Sequence, residues 1–226
     1  MKNIIITVDG YSSCGKSTLA RALAQELNYI FIDSGAMYRA ITLYFLNNQI
    51  DIFDDHELEK ALRNINLKFQ YDPVSGSSHI HLNGVNVENE IRKMNVSNAV
   101  SKVAALEKVR EFAVEMQRKM GRSKGIVMDG RDIGTTVFPK AELKVFMTAD
   151  KNIRVKRRYD ELKQKTGYAN LNDVIRNIEN RDHLDTTRKI SPLRQAEDAV
   201  VLDNSELNAE EQLAIVLQWA KEKING

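Results

Sequence analysis

The chain has 226 residues, of which 42% are hydrophobic and 28% are charged, a composition typical of a globular protein rather than a disordered one. A formal net charge of +2 excludes a globally basic surface, and we expect no nucleic-acid partner. Because one cysteine cannot form an intramolecular disulfide framework and no apolar run approaches the roughly 20 residues that span a bilayer, we expect a cytoplasmic protein without a membrane partner.

The first motif follows the β-branched apolar run Ile4–Val8, which predicts a strand rather than a signal peptide. Residues 10–18, GYSSCGKST, match the pattern G-x-x-x-x-G-K-[ST] of a phosphate-binding loop, whose N–H groups form an anion nest at a helix N-terminus. Lys16 would reach the β- and γ-phosphates, and the Ser17 hydroxyl would help to hold Mg²⁺. The predicted residues of the ATP site are Gly10, Tyr11, Ser12, Ser13, Cys14, Gly15, Lys16, Ser17 and Thr18.

The next segments have the order of a parallel α/β fold. Leucines spaced along residues 18–27 predict a helix, and Tyr29–Ile32 predicts a second strand. A second helix then begins, with Asp33 or Ser34 as its cap. Arg39 lies near the start of that helix, at the sheet edge where open α/β folds bind ligands. We therefore favour a ligand contact for Arg39 over a solvated helix face.

Residues 67–87 differ in pattern from the rest of the chain. They contain a turn cluster around 73–76, an alternating run His79–Leu82 and the hairpin signal Asn83-Gly84. This combination predicts a small antiparallel insertion. The two histidines alternate with apolar residues and therefore predict the outer face of a strand rather than a metal site.

A single long helix is predicted over Asn95–Met120, with Ser101 and Arg110 on it. Gly125–Met128 predicts another buried strand, and the polar string 129–132, DGRD, follows it directly. Two carboxylates and an arginine at the carboxyl end of a strand are difficult to explain as packing. Asp129 is expected to hold Mg²⁺ through water, whereas Arg131 and Asp132 are expected to face a second ligand.

The C-terminal third contains two further strand predictions, Leu143–Met147 and Ala199–Leu202, and a closing amphipathic helix over Glu210–Ile224. Between these strands, residues 152–158 form a basic segment. It is either a solvated helix or a lid that closes over the transferring phosphoryl group and excludes water. Further along, Arg181, Asp185 and Arg188 are spaced to share one helical face, where the first two could simply form a surface ion pair.

Four motifs in this order, GYSSCGKST, DSGAMYRA, MDGRDIGTTVFP and RDHLDTTRKISPL, resemble those of the bacterial cytidylate kinases, from Ile4 to the C-terminal helix. The resemblance implies transfer of the γ-phosphoryl group of ATP to CMP or dCMP, with Mg²⁺. It also implies a phosphate-loop NTPase core whose central parallel β-sheet is flanked by helices, with a small antiparallel acceptor-binding insertion and a helical lid. Tyr11 departs from the family pattern, in which proline is common at this position, and Cys14 replaces a small residue.

The resemblance also assigns roles to individual residues. Ser34, Ser101, Arg110 and Asp132 would surround the cytosine; Arg181 and Asp185 would lie near the sugar; Arg39, Arg131 and Arg188 would bind the acceptor phosphate. The lid arginines would be Arg154, Arg157 and Arg158. Together with Lys16, the lid arginines, Arg131 and Arg188 would be the catalytic residues.

The resemblance further implies one domain over residues 1–226, with a core of 1–40, 95–150 and 190–226. The acceptor insertion would cover about 41–94, and the lid with its acceptor-contacting helix about 151–189. We expect a monomer. Two alternatives are a kinase of the same core that acts on UMP, AMP or shikimate, and an ATP-binding switch or RNA-binding regulator without turnover. The insertion and the RDHLDTTR motif favour the cytidylate kinase reading over the first of these.

Overall fold

The computed structural model describes residues 2–72 and 77–226. The turn cluster predicted around 73–76 lies outside the described residues. In chain order the strands and helices are β1 (Ile5–Gly10), α1 (Lys16–Leu27), β2 (Ile30–Asp33), α2 (Ser34–Asn47), α3 (Asp55–Arg63), β3 (Leu67–Asp72), β4 (Ser77–Leu82), β5 (Val85–Asn86), α4 (Met94–Val103), α5 (Glu107–Met120), β6 (Ile126–Gly130), β7 (Leu143–Thr148), α6 (Lys151–Thr166), α7 (Leu171–Thr187), β8 (Val200–Asp203) and α8 (Ala209–Asn225).

One compact unit runs from β1 to Phe31 and from Gly121 to Gly226. Its parallel sheet has the strand order β2-β6-β1-β7-β8, and β1 pairs with both β6 and β7. The buried side chains of β1 and β7 pack with α1 and α8 to form its main core. The predicted α/β class with a central parallel sheet is confirmed, and the register places the carboxyl ends of β1, β6 and β7 side by side.

The second compact unit spans Ile32–Met120. Asp33 caps α2 by accepting a hydrogen bond from the Ala36 N–H at 2.8 Å, as the sequence predicts. β3, β4 and β5 form an antiparallel sheet, which confirms the predicted insertion. Asn83 and Gly84 join β4 to β5 with φ angles of 52° and 85°, the left-handed pair of a tight hairpin. The unit contains the predicted segment 41–94 together with α4 and α5, and the single-domain assignment stays a prediction.

The single helix predicted over Asn95–Met120 is wrong, because α4 ends at Val103 and α5 begins at Glu107. Short-range hydrogen bonds tighten the chain at the break, where the N–H of Leu106 donates to the Val103 carbonyl. The carbonyl of Ala104 accepts instead from the Arg110 guanidinium at 3.1 Å. Ser101 and Arg110 therefore lie on different helices.

α7 ends at Thr187, so Arg188 is the residue that caps it, and its guanidinium still lies 3.9 Å from Oδ1 of Asp185, on the face that the sequence predicts. The ψ angle of 143° at Arg188 takes the chain out of the helix, and the Asp185 carbonyl accepts from the Leu193 N–H at 2.8 Å. Among the described residues, no helix is long and apolar enough to cross a membrane.

Candidate active site

The phosphate loop leaves the sheet at a position that only glycine can occupy. Gly10 has a φ angle of +151°, and a Cβ atom on it would lie 2.0 Å from the Met147 carbonyl oxygen of the neighbouring strand. Gly15 has a φ angle of +89°, and α1 begins at the next residue. The sequence therefore forms the predicted strand, loop and helix N-terminus, an arrangement that directs backbone N–H groups towards an anion.

Lys16 is buried and lies against the loop that carries it. Its ammonium donates to the Tyr11 carbonyl at 2.6 Å and lies 3.7 Å from the Cys14 sulfur. Burial lowers the pKa of the Lys16 amine below its ordinary value, and the nearby positive charge of Arg131 lowers it further. A polyphosphate would provide the negative charge that a buried cation requires.

Ser17 and Asp129 meet as predicted for a metal site. The Ser17 hydroxyl donates to Oδ2 of Asp129 at 2.6 Å, and Asp129 is buried at the end of β6. A hydroxyl and a carboxylate are oxygen ligands of the kind that Mg²⁺ prefers. Within residues 2–72 and 77–226 there is no cluster of three or more histidine, cysteine or acidic side chains able to hold a metal. The two oxygens of Ser17 and Asp129 fit a Mg²⁺ ion whose other ligands are water and phosphate oxygens.

Arg131 connects the phosphate loop to α7. Its Nε donates to Oδ2 of Asp185 at 2.7 Å, and its Nη2 donates to the Ser12 hydroxyl at 3.1 Å. Burial alone would raise the pKa of Asp185, but Arg131, Arg181 and Arg188 together hold it below its ordinary value. Asp185 is therefore a buried carboxylate, which disfavours the alternative of a simple surface ion pair with Arg181.

Arg181 and Arg188 complete a cationic cluster. Removal from water, together with the nearby positive charge of Arg131, lowers the pKa of the Arg181 guanidinium to about 10. The buried Nε of Arg181 has no hydrogen-bond partner among the described residues. Arg188 donates to Oδ1 of Asp132 at 3.3 Å. The structure thus brings Arg131, Asp132, Arg181, Asp185 and Arg188 together in one unit, where an anionic ligand would relieve the excess positive charge.

The lid arginines on α6 have different surroundings. Arg154 donates to the Ser12 carbonyl at 3.1 Å and to Asp182 at 2.6 Å, and its guanidinium lies 5.2 Å from the centre of the Tyr11 ring. Arg157 donates to the side-chain and backbone oxygens of Asn204 at 3.0 and 2.9 Å. Arg158 pairs with Glu161 on its own helix at 2.7 Å. Two of the three arginines therefore meet the phosphate loop or its support.

Sequence reasoning missed two residues of this unit that contact the loop. Asp182 accepts the Ser12 N–H at 3.1 Å, and Asn204 donates to the Cys14 carbonyl at 2.8 Å. Asn204 follows β8 directly, the same position at a strand end that drew attention to Asp129. Asp182 lies one turn before Asp185 on α7. Both signals were in the sequence.

A cavity of about 360 Å³ lies beside the start of α1. Arg157 and Asn204 form part of its wall, so one lid arginine lines it directly. The remaining wall is formed mainly by the first turns of α1 and α8 and the loop before α8. The lining residues include Gly15, Thr18, Leu19, Leu207, Asn208 and Gln212.

The other predicted acceptor residues lie in the unit Ile32–Met120. Arg39 on α2 donates to the Ser97 hydroxyl at 2.9 Å and to the Ile91 carbonyl at 3.3 Å. Arg110 is buried, with its guanidinium 5.4 Å from the centre of the Tyr38 ring. Ser97, which sequence reasoning missed, therefore positions Arg39. Ser34 is the buried first residue of α2 and Ser101 lies on α4, and the ligand contacts of all four predicted residues stay predictions.

The chain matches the family model described as cytidylate kinase over residues 6–222. It is 55% identical over 215 residues to a curated cytidylate kinase from Bacteroides fragilis, covering 94% of each chain. It is 53% identical over 226 residues to the cytidylate kinase of Bacteroides thetaiotaomicron, covering 99% of this chain and 97% of that protein. A crystal structure of an uncharacterized protein from Eubacterium ventriosum shares the fold, with a TM-score of 0.52 at 10% identity over 98% of this chain and 99% of that chain.

Proposed function

Because this chain belongs to the cytidylate kinase family, we propose that it transfers the γ-phosphoryl group of ATP to CMP or dCMP, giving ADP and CDP or dCDP. One observation carries this proposal within the structure. Arg131 donates to the phosphate loop and to Asp185 at the same time, so donor-binding and acceptor-binding groups share a rigid framework. Such a framework suits a reaction that depends on alignment.

The donor phosphates would bind in the anion nest at the start of α1, with Lys16 moving from the Tyr11 carbonyl to the β- and γ-phosphates. The 360 Å³ cavity adjoins the same helix turn and would take the adenine. Arg157 lines this cavity, whereas Arg154 lies over the loop itself. We therefore assign Arg157 to the base end of ATP and Arg154 to its phosphates.

Ser17 and Asp129 would hold Mg²⁺, because together they offer a hydroxyl and a buried carboxylate 2.6 Å apart. When bound, the ion would neutralise negative charge on the β- and γ-phosphates. Asp129 would act on it through water, since Mg²⁺ usually keeps several waters.

On the acceptor side, the Asp132 carboxylate would accept a hydrogen bond from the cytosine 4-amino group. Uracil has an oxygen acceptor at that position, so a buried carboxylate would lose its partner there. Arg188 is held 3.3 Å from Asp132, and Arg131 is held against Asp185, ready to bind the acceptor phosphate. The free Nε of Arg181 adds a donor beside them.

In the transfer, an oxygen of the CMP phosphate forms a bond to the γ-phosphorus as the bond to the bridging oxygen of ADP breaks. No protein group needs to form a covalent bond. Lys16 and the arginines would neutralise charge on the equatorial oxygens, and the lid would exclude water as a competing acceptor.

The test is a coupled assay of ADP release with CMP, dCMP, UMP, AMP, shikimate and no acceptor. We expect the highest kcat/KM with CMP or dCMP and a lower value with UMP. Asp132→Asn should reduce the difference in kcat/KM between CMP and UMP, because the asparagine amide can donate a hydrogen bond to the uracil oxygen. Equal kcat/KM for CMP and UMP would refute the assigned role of Asp132, and ADP release independent of any acceptor would favour the ATP-binding switch.

A further inference from the structure

Asp9 is a buried carboxylate that the phosphate-loop motif does not include. It is the last residue of β1 before Gly10. Its Oδ1 accepts the Ile133 N–H at 2.8 Å and its Oδ2 accepts the Gly134 N–H at 2.7 Å. Both carboxylate oxygens are therefore used by two consecutive backbone amides on the far side of the DGRD string.

These two amides begin the π-helical turn Ile133–Val137, which follows Asp132 directly. The turn is closed further by the Thr136 N–H, which donates to the Asp132 carbonyl at 2.8 Å. Gly134 packs so closely that a Cβ atom on it would lie 2.8 Å from the Thr7 hydroxyl and 3.3 Å from Oδ2 of Asp9. The backbone at Gly134 therefore packs too closely against β1 to leave room for a side chain, and the Asp9 carboxylate holds it in that position.

We propose that Asp9 is a positioning residue for the acceptor, because its carboxylate holds the turn that sets the direction of Asp132. The proposal rests on the proposed function, in which Asp132 contacts the cytosine. Asp9 acts through the backbone and does not itself touch either substrate.

The charge environment agrees with this role. The pKa of Asp9 is raised to about 6, because burial and, to a smaller extent, the negative charge of Asp132 outweigh the hydrogen bonds from Gly134 and Ile133, which lower it. Burial disfavours a charged carboxylate. The presence of one at this position indicates that both of its oxygens are needed as hydrogen-bond acceptors.

The phosphate loop has a separate anchor. In the register of the parallel sheet, Gly10 lies opposite Met147, and Asp9 lies opposite both Phe146 and Gly130. Losing the carboxylate therefore leaves the exit of the loop from β1 in place. Because the two anchors are separate, loss of the Asp9 carboxylate should change the kinetic constants for CMP more than those for ATP.

The experiment compares Asp9→Asn with Thr7→Val in steady-state kinetics against CMP and against ATP. An asparagine amide can accept only one of the two N–H groups and turns a donor towards the other. Thr7 contacts the same turn, but its buried hydroxyl has no hydrogen-bond partner among the described residues, so the near-isosteric valine is the matched control. We expect Asp9→Asn to lower kcat/KM for CMP by about 10- to 100-fold, the effect of roughly 1.5–3 kcal/mol. The KM for ATP should change less than threefold, and Thr7→Val should match the wild type.

Two further variants separate positioning from simple loss of structure. If Asp9 acts through Asp132, the double variant Asp9→Asn/Asp132→Ala should have the same kcat/KM for CMP as Asp132→Ala alone. If Asp9→Asn fails to fold, Gly134→Ala displaces the same turn without changing any charge and should give the same acceptor-selective loss. Additive effects in the double variant, or equal changes in KM for CMP and ATP, would overturn the inference. Absence of CMP phosphorylation by the wild type would instead refute the proposed function.

Discussion

Replacing Arg131 with methionine should destabilise the fold as well as impair catalysis, because Arg131 compensates a buried charge. The side chains of Arg131 and Asp185 are only 19% and 12% exposed. Removing one partner of a buried pair costs about 3–5 kcal/mol. Arg181 and Arg188, the latter 3.9 Å from Asp185, still compensate part of its charge, so we expect the lower end, about 3 kcal/mol. For a chain of this size that corresponds to a Tm lower by roughly 6–12 °C.

The matched control is Lys151→Met. Lys151 pairs with Glu179 between the same two helices that frame the site, but these side chains are 50% and 47% exposed. An exposed pair contributes about 0–1 kcal/mol. The free energies of unfolding of the two variants, measured by urea denaturation at pH 7, should therefore differ by about 2 kcal/mol or more. In the double variant Arg131→Met/Asp185→Asn the stranded charge is absent, so stability should partly recover. Equal stability of Arg131→Met and Lys151→Met, or a double variant less stable than Arg131→Met, would refute this reasoning.

Three further predictions concern individual groups of the unit that carries the phosphate loop. Lys16→Met should lower kcat by at least about tenfold, because one charge-assisted contact to the donor phosphates, worth about 1.5–3 kcal/mol, is lost. Calorimetry should still detect CMP binding to this variant. An unchanged kcat would show that Lys16 does not contact the donor phosphates. Arg157→Ala should raise the KM for ATP about tenfold, because Arg157 lines the cavity. Arg158→Ala should raise it much less, because Arg158 pairs with Glu161. A larger increase for Arg158→Ala than for Arg157→Ala would mean that the adenine binds elsewhere. Because the folded-state pKa of Asp185 lies below its ordinary value of 3.8, its contribution to stability is present above about pH 4 and is lost as the pH falls through the folded-state pKa. Urea denaturation between pH 6 and pH 3 should therefore show a shallower acid loss for Asp185→Asn than for the wild type, and parallel curves would contradict the pairing.

The sequence predicts most of the core of this fold because its signals are local. A β-branched run, two glycines and a leucine-spaced helix are each contiguous, and the structure confirms all three around the phosphate loop. The break between α4 and α5 is different, since Ala104 and Ala105 favour a helix on their own. At this break the Ala104 carbonyl accepts a hydrogen bond from the buried Arg110 guanidinium, a contact that no local pattern encodes.

The residues of the candidate site divide in the same way, into those that a local pattern identifies and those whose role depends on contacts with distant residues. Lys16, Ser17 and Asp129 were predictable because a loop motif and a strand end each fix the place of a side chain. Asp182 and Asn204 were not identified, because their partners are backbone groups of the loop more than 160 positions away in the sequence. The strand end before Asn204 and the helical turn that Asp182 shares with Asp185 mark these residues as candidates, but a backbone partner has no residue-type signature, so the pattern does not show what they contact.

The string DGRD contains one residue of each proposed half of the site. Asp129 contacts Ser17 in the proposed donor half, whereas Asp132 lies against Arg188 in the proposed acceptor half. The backbone between them is fixed at Gly130 by its pairing with Asp9 in the sheet. The separation between the proposed metal ligand and the proposed cytosine contact thus depends on the strand up to Gly130 and on the turn that begins at Ile133. Because in-line transfer is sensitive to misplacement of about 1 Å, a paired strand end followed by an anchored turn is suited to hold that separation constant.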